Sequence, residues 1–220
     1  MQKRNLRIAV SKGSLFNDAV ELLGQAGLDT TGLANPGRHL IISNPGVDFI
    51  IVRPTDAPVF TTYGGADCGI CGKDTLVEAR LNVMEMVDLK FGYCRFVVAE
   101  PADMPGAAEA SYEKLGVLRV ATKYPRITQS FYEEAGVQVD IIKMHGNIEL
   151  APLVGMADRI VDITATGTTL RENNLRVVDE VLASTARFIA NPASVRTDSR
   201  VRELAAKLEE LTRDREATMS

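Results

Sequence analysis

Apolar and polar positions change period repeatedly along the chain. Leu6–Val10 is an apolar run of strand length. Leu15, Ala19, Leu22, Leu23 and Ala26 then recur at helical spacing, and Gly27 is the stop. Leu40–Ser43 and Phe49–Val52 predict two strands joined by a turn at Asn44-Pro45-Gly46, and Arg53-Pro54 ends the second. Ala66–Ile70 predicts a brief strand, Lys73–Arg80 a helix and Val83–Leu89 another strand. A second series opens with a strand at Tyr93–Ala99, followed by a loose Pro/Gly/Ala stretch, Pro101–Ala108. Strands at Leu118–Thr122, Val137–Ile142 and Arg159–Thr164 follow, with helices at Arg126–Ala135 and Ile148–Val154 between them. Leu175–Ile189 reads as one long β-rich segment returning to the first lobe. The tail from Val201 is a helix, with Val201, Leu204, Ala205, Leu208 and Leu211 on one face.

Strand and helix alternating twice over predict an α/β protein with parallel sheets. The expected architecture is two doubly wound lobes with a central cleft, an arrangement shared with periplasmic solute-binding proteins. Lobe I takes residues 1–90 plus 178–220, and lobe II takes 91–177. Ligands in such sheets bind beyond the carboxyl ends of the strands, so the loops after strands carry the interest. No internal repeat or low-complexity segment is evident.

Composition adds exclusions. The chain has 220 residues, 45% hydrophobic and 25% charged, which is ordinary for a globular protein. Met1-Gln-Lys-Arg-Asn5 leads into a single short strand with no apolar h-region, so no signal peptide is expected. No apolar run approaches the roughly 20 residues of a membrane span. A cytoplasmic protein with reduced thiols is expected, since its three cysteines cannot pair completely. The net charge of -4, with no basic block, argues against a nucleic-acid binder. Anionic ligands stay open, because local charges hold them.

The strongest local feature is Asp162-Ile-Thr-Ala-Thr-Gly-Thr-Thr-Leu170. An acid sits near a strand end, and small hydroxyl residues gather round one glycine. Thr168 or Thr169 is placed to cap the next short helix. Such a turn exposes successive backbone N–H groups and hydroxyls, the means by which proteins hold phosphate, and the acid suits sugar hydroxyls, directly or beside a metal ion. A plain capped strand-to-helix turn accounts for the same pattern. The loop is not a Walker A loop, since no Gly-Lys-Ser/Thr ends it. Ser11-Lys12-Gly13-Ser14 follows the first strand; Lys12 points to a similar crevice, and Gly13 allows close backbone approach to an anion. Arg53, after Phe49–Val52, suits two-pronged phosphate binding. The plainer readings are a solvated helix start and a surface ion pair.

Other features are decoys. Cys68-Gly-Ile-Cys71 has metal-site spacing but no second Cys or His pair, and it lies in an apolar run, so buried thiols are expected. Gly72-Lys73 resembles the end of a Walker A loop, but Asp67 stands where its first glycine belongs. His39 and His145, the chain's two histidines, have no recognisable triad partners.

Together these segments resemble ATP phosphoribosyltransferase along nearly the whole chain. The resemblance lies in Leu6-Arg-Ile-Ala-Val-Ser-Lys-Gly13, Ile51-Val-Arg-Pro-Thr-Asp56, Gly65-Ala-Asp-Cys-Gly-Ile-Cys-Gly-Lys-Asp74 and Val120-Ala-Thr-Lys-Tyr-Pro125. It continues in Glu149-Leu-Ala-Pro152, Ala157–Leu170 and Ala190-Asn-Pro192. Each stretch is modest alone; the whole set in this order is specific. Departures are Ser11, where the family usually has Pro, His145, and the two cysteines of the Cys68–Cys71 run. None touches Lys12, Arg53 or the Asp162–Leu170 loop. The chain's single helix soon after Asn191-Pro192 resembles the short form, which lacks an added regulatory domain.

The resemblance implies transfer of the phosphoribosyl group of phosphoribosyl pyrophosphate (PRPP) to N1 of ATP, opening histidine biosynthesis. It implies the 5-phosphate of PRPP on Thr164, Ala165, Thr166, Gly167, Thr168 and Thr169, and the ribose hydroxyls on Asp162. It places the departing pyrophosphate on Lys12 and Arg53, with the backbone of Gly13 close by. Glu149 is a weaker candidate for ribose or metal, and Arg38 for a triphosphate. Magnesium (Mg2+) is expected, held mainly by the substrate phosphates rather than by a protein metal site. The implied partner is a histidyl-tRNA synthetase-like regulatory subunit, in a homodimer and larger hetero-oligomer. Three rival readings remain. A solute-binding module lacks a reason for Lys12 and Arg53 beside a phosphate loop. A free-base phosphoribosyltransferase usually has two adjacent acids where Val161-Asp162-Ile163 has one. A degenerate regulatory subunit fits poorly with intact Lys12, Arg53 and Asp162–Leu170.

Overall fold

The computed structural model describes residues 4–219, and side chains as far as Arg213. In chain order the elements begin with β1 (Leu6–Ser11), α1 (Phe16–Gln25), β2 (Ile41–Asn44), β3 (Val47–Val52), α2 (Ala57–Thr62), β4 (Cys68–Gly72), α3 (Lys73–Ala79) and β5 (Met84–Asp88). Then come β6 (Cys94–Pro101), α4 (Ala107–Leu115), β7 (Leu118–Thr122), α5 (Pro125–Glu134), β8 (Val139–Lys143), α6 (Leu150–Leu153), β9 (Arg159–Thr164), α7 (Thr168–Glu172) and β10 (Leu175–Ser184). The chain closes with β11 (Ala186–Ala190), α8 (Pro192–Thr197) and α9 (Ser199–Met219). Two compact units result, one from residues up to Gly92 together with those from Thr185 onward, the other Tyr93–Ser184.

The first unit is a six-stranded sheet in the order β2-β3-β1-β4-β11-β5. β1 runs parallel to both β3 and β4, while β2 and β11 run against their neighbours. β1 is buried on both faces, as expected of a central parallel strand. Leu6, Ile8 and Val10 meet Leu22 and Leu23 of α1 and Val201, Leu204 and Leu208 of α9. Ala9 faces the other way, with Ala57 of α2, Cys71 and Ile189. Removing Leu22 or Leu23 from water stabilises this core by about 2 kcal/mol each. Gly69 is required by space: a Cβ there would lie 2.9 Å from the Ala9 carbonyl oxygen.

The second unit is a five-stranded sheet, β10-β6-β9-β7-β8. β7 runs parallel to β8 and β9, and β6 runs against β9 and β10. Val97, Ala99, Ala121 and Ile160 pack with Ile148, Ala151 of α6 and Leu170 of α7. Phe96 meets Tyr124 edge-on, ring centroids 4.6 Å apart. Among the described residues no helix is long and apolar enough to cross a membrane.

The alternating α/β reading holds, with three corrections. Leu175–Ile189 is two strands in two sheets: β10 pairs along the whole of β6, and after Thr185 β11 enters between β4 and β5. The units therefore meet in sequence at 92/93 and 184/185, rather than at 90/91 and 177/178. α4 occupies much of what reads as a loose stretch; only Ala108 is buried on it, which leaves no apolar stripe to detect. The short helices α2 and α8 also escape the periodicity, although Asn191 caps α8 by accepting from the N–H groups of Ala193 and Ser194. Cys68 and Cys71 are buried free thiols, as expected, and burial raises both their pKa values.

Candidate functional site

In the first unit the candidates gather at one end of the sheet. β1 and β3 stay in register to the Ser11–Val52 pair, and the Lys12 N–H continues the ladder to the Val52 carbonyl at 2.9 Å. Lys12 and Arg53 therefore leave neighbouring strands side by side, both exposed. Pro54 opens a 3-10 turn and holds Arg53 extended, at φ -71° and ψ 152°. Gly13 has φ +102° with open space around it, so the backbone conformation rather than crowding calls for glycine. Arg38 is exposed, just before β2. β2 runs against β3 and begins where β3 ends, with the Ile51 N–H bonded to the Leu40 carbonyl, so Arg38 belongs to the same sheet end as Arg53.

In the second unit Asp162 sits on β9, half-buried, between Val97 of β6 and the end of β7. Its Oδ1 accepts from the Ile163 N–H at 2.8 Å. Burial raises the carboxyl above its ordinary range and the charge of Glu149 adds to this; the Ile163 N–H and the charge of Lys123 pull the other way. Glu149 stands at the N-cap of α6, half-buried. The charges of Glu149 and Lys123 thus both act on Asp162, and Lys123 is a residue to which the sequence reading gave no role.

The Thr164–Thr169 turn is closed by its own side chains. Thr164 is buried, and its Oγ1 accepts from the Gly167 N–H at 2.7 Å. Gly167, at φ +72°, occupies the N-cap position of α7. Thr168 and Thr169 lie inside the first turn of α7, and no side chain caps it, which corrects the expected threonine cap; the left-handed glycine sets the boundary. Ala165, Thr166, Thr168 and Thr169 are exposed. Arg171 folds back on the turn, donating to the Thr166 carbonyl at 3.0 Å and to Thr168 Oγ1 at 3.2 Å. The result is a turn closed by its own side chains, with exposed threonines, following the Asp162 carboxylate on β9, a pattern suited to a sugar phosphate.

Among the described residues no three His, Cys, Asp or Glu side chains gather as a metal centre. Asp162 beside the turn is an oxygen donor of the kind that suits magnesium bound mainly through phosphates. His39 and His145 are exposed.

The family model described as HisG, ATP phosphoribosyltransferase, matches residues 53–210. An ATP phosphoribosyltransferase of Rubrobacter xylanophilus is 52% identical over 193 residues, covering 88% of this chain and 89% of the relative. The ATP phosphoribosyl transferase (HisG:HisZ) complex from Thermotoga maritima has a chain that superposes with a TM-score of 0.81 at 33% identity, covering 95% of this chain and 99% of that one. The substrate binding protein of an amino acid ABC transporter superposes with a TM-score of 0.58 at 14% identity, covering 96% and 94%, which is a likeness of fold alone.

Proposed function

The chain belongs to the ATP phosphoribosyltransferase family, and from that we propose how its strand-end residues share the reaction. It is an enzyme of histidine biosynthesis that joins the phosphoribosyl group of PRPP to N1 of ATP and releases pyrophosphate. The transition state is oxocarbenium-like, so the protein must position two polyanions and stabilise the charge growing on the leaving group.

The roles follow unit by unit. In the second unit the Thr164–Thr169 turn binds the 5-phosphate, and Asp162 holds the ribose hydroxyls with Glu149 in support. In the first unit Lys12 and Arg53 take the pyrophosphate and neutralise it as it leaves, Gly13 admits it to the backbone, and Arg38 reaches a triphosphate. Magnesium, when bound with the pyrophosphate, adds charge neutralisation. The observation that carries this reading is the closed turn: Thr164 Oγ1 fixes the Gly167 N–H beside a half-buried acid.

The Thermotoga structure is titled as a complex of HisG with HisZ. We extend that partnership to this chain, as a histidyl-tRNA synthetase-like regulatory subunit in a larger hetero-oligomer of homodimers, and place the enzyme in the cytoplasm. The solute-binding reading keeps only the shared fold as support, and the single acid in Val161-Asp162-Ile163 weighs against a free-base acceptor.

The test is turnover. The purified chain, with and without a HisZ-type subunit, is mixed with ATP, PRPP, magnesium and pyrophosphatase, and the product is identified by mass. Phosphoribosyl-ATP is expected. Its absence in both mixtures would overturn the proposal and lead to trials of free bases as acceptors.

A further inference from the structure

The two sheets repeat one hydrogen-bonded plan that the residues alone do not announce. In the first unit the Asp67 carboxylate, just before β4, accepts from the Arg7 N–H at 3.0 Å and from the Arg4 guanidinium at 2.6 and 2.7 Å, while the Asp67 N–H returns to the Arg7 carbonyl. In the second unit Asp158, just before β9, accepts from the Arg119 N–H at 2.9 Å and from the Arg119 guanidinium at 2.7 and 3.2 Å, and its N–H returns to the Arg119 carbonyl. So β1 matches β7, and β4 matches β9. Each first strand lies between two parallel partners and ends in a buried hydroxyl. Ser11 Oγ donates to the Ile70 carbonyl of β4 at 2.9 Å; Thr122 Oγ1 donates to the Val161 carbonyl of β9 at 2.7 Å. An exposed lysine follows each hydroxyl, Lys12 and Lys123, β1 being one residue longer than β7.

Lys123 is placed for use. Thr122 pairs with Val161, so Lys123 and Asp162 follow matched residues on adjacent parallel strands. Thr122 Oγ1 also accepts from the Tyr124 N–H at 3.0 Å, which fixes the turn carrying Lys123. Within the Thr164–Thr169 turn no side chain is cationic, and the guanidinium of Arg171, the nearest cation in sequence, is turned back to brace it. A dianionic sugar phosphate there is favoured by further positive charge, and the end of β7, beside β9, carries Lys123. The charge of Lys123 already acts on Asp162.

We infer that Lys123 is a second substrate lysine, binding the phosphoribosyl group of PRPP beside Asp162, and that buried Thr122 positions it. This rests on the assignment of the Thr164–Thr169 turn to PRPP. The test uses the full chain with its regulatory subunit, PRPP titrated by calorimetry, and steady-state kinetics in both substrates. Lys123→Met is expected to raise the Kd and KM for PRPP about ten- to a hundredfold, the loss of one charge-assisted contact, and to leave the KM for ATP within about twofold. Thr122→Val moves the PRPP constants the same way and Thr122→Ser restores them; a purely structural Thr122 would lower Tm with no selectivity for PRPP. Thr166→Val is the control for the turn. Normal PRPP affinity in Lys123→Met with weak affinity in Thr166→Val overturns this inference and leaves the turn assignment standing. Normal affinity in both overturns the two together. If Thr122→Val does not fold, Lys123→Met decides the lysine's role and Thr122→Ser, if it loses PRPP affinity despite a normal Tm, removes that of the hydroxyl.

Discussion

Thr164→Val tests the turn with little change of shape. The side chain is buried and valine fills nearly the same volume, so packing is largely kept. What disappears is the acceptor for the Gly167 N–H, now 2.7 Å from Thr164 Oγ1. An unpaired N–H at a buried glycine costs about 1–3 kcal/mol. The cost falls on the closed turn, which opens to let the N–H find water. If opening halts at the turn, the closed form loses about 1–2 kcal/mol relative to the open one, and the Kd for PRPP rises by up to about 5- to 30-fold. Thr164→Ser supplies the opposite perturbation. It keeps the acceptor and removes one buried methyl, so it lowers unfolding free energy by about 1 kcal/mol and leaves PRPP affinity close to normal. Calorimetric titration of PRPP and urea unfolding of both variants give the two readouts. Normal PRPP affinity in the valine variant, or equal losses in the valine and serine variants, would refute the claim that closure of the turn prepares the phosphate site.

Three further outcomes are expected. Arg53→Ala lowers kcat by about a hundredfold and by more than it raises the KM for PRPP, as loss of a group acting on the leaving pyrophosphate should; an unchanged kcat removes that role. Asp67→Ala lowers unfolding free energy by about 3 kcal/mol, measured in urea, because Arg4, the Arg7 N–H and Ser194 all lose a buried acceptor. Burial alone would raise the Asp67 carboxyl, but hydrogen bonds from Arg4, Arg7 and Ser194 outweigh it and hold the group below its ordinary value of 3.8. Its stabilisation is therefore present above 3.8 and lost as pH falls through the lower folded value, so the gap between wild type and variant should close in acid; a gap that widens there would reverse the sign. Gly69→Ala forces a Cβ to 2.9 Å from the Ala9 carbonyl oxygen and 3.0 Å from its Cβ, costing about 1–3 kcal/mol of stability in urea unfolding; unchanged stability would mean that β1 and β4 part freely.

Legibility followed the range of the forces involved. β1, β7 and β9 are short apolar runs buried on both faces, and α1 and α9 carry their apolar stripe locally, so these elements stand out in the residues themselves. The break at Thr185 does not. Ala183-Ser184-Thr185-Ala186 contains no glycine or proline, and what divides the segment is the choice of partners, β6 for one half and β4 with β5 for the other. The boundary of α7 was obscured by an excess of signal, since a run of threonines offers a cap at every position and only the left-handed Gly167 selects one. Lys12, Arg53, Asp162 and the turn were legible as strand-end residues. Lys123 has the same grammar, a lysine after a strand-ending hydroxyl, yet Tyr124-Pro125 follows it instead of glycine, so no anion loop is suggested. The repeat that links it to Lys12 lies in which N–H meets which carboxylate, and at β1 and β7 the strands even differ in length.

The charge distribution makes the same point about local placement. The chain carries a net charge of -4, yet the substrates are polyanions. On the proposed reading the first sheet answers with Lys12 and Arg53, which leave adjacent strands, and with Arg38 at the same end. The second sheet uses fewer side-chain charges and more fixed geometry. Thr164 and Arg171 bind the turn to itself, and the Thr166 and Thr168 hydroxyls bond to each other, so the exposed threonines are held in position by contacts within the turn. Asp162 is the exception, an acid that burial pushes toward neutrality although ribose hydroxyls are better held by its charged form. The Ile163 N–H and Lys123 oppose that push. On the proposed reading a lysine there attracts the phosphoribosyl group directly, and its charge also favours the ionised form of the neighbouring carboxyl. Losing it should weaken PRPP binding.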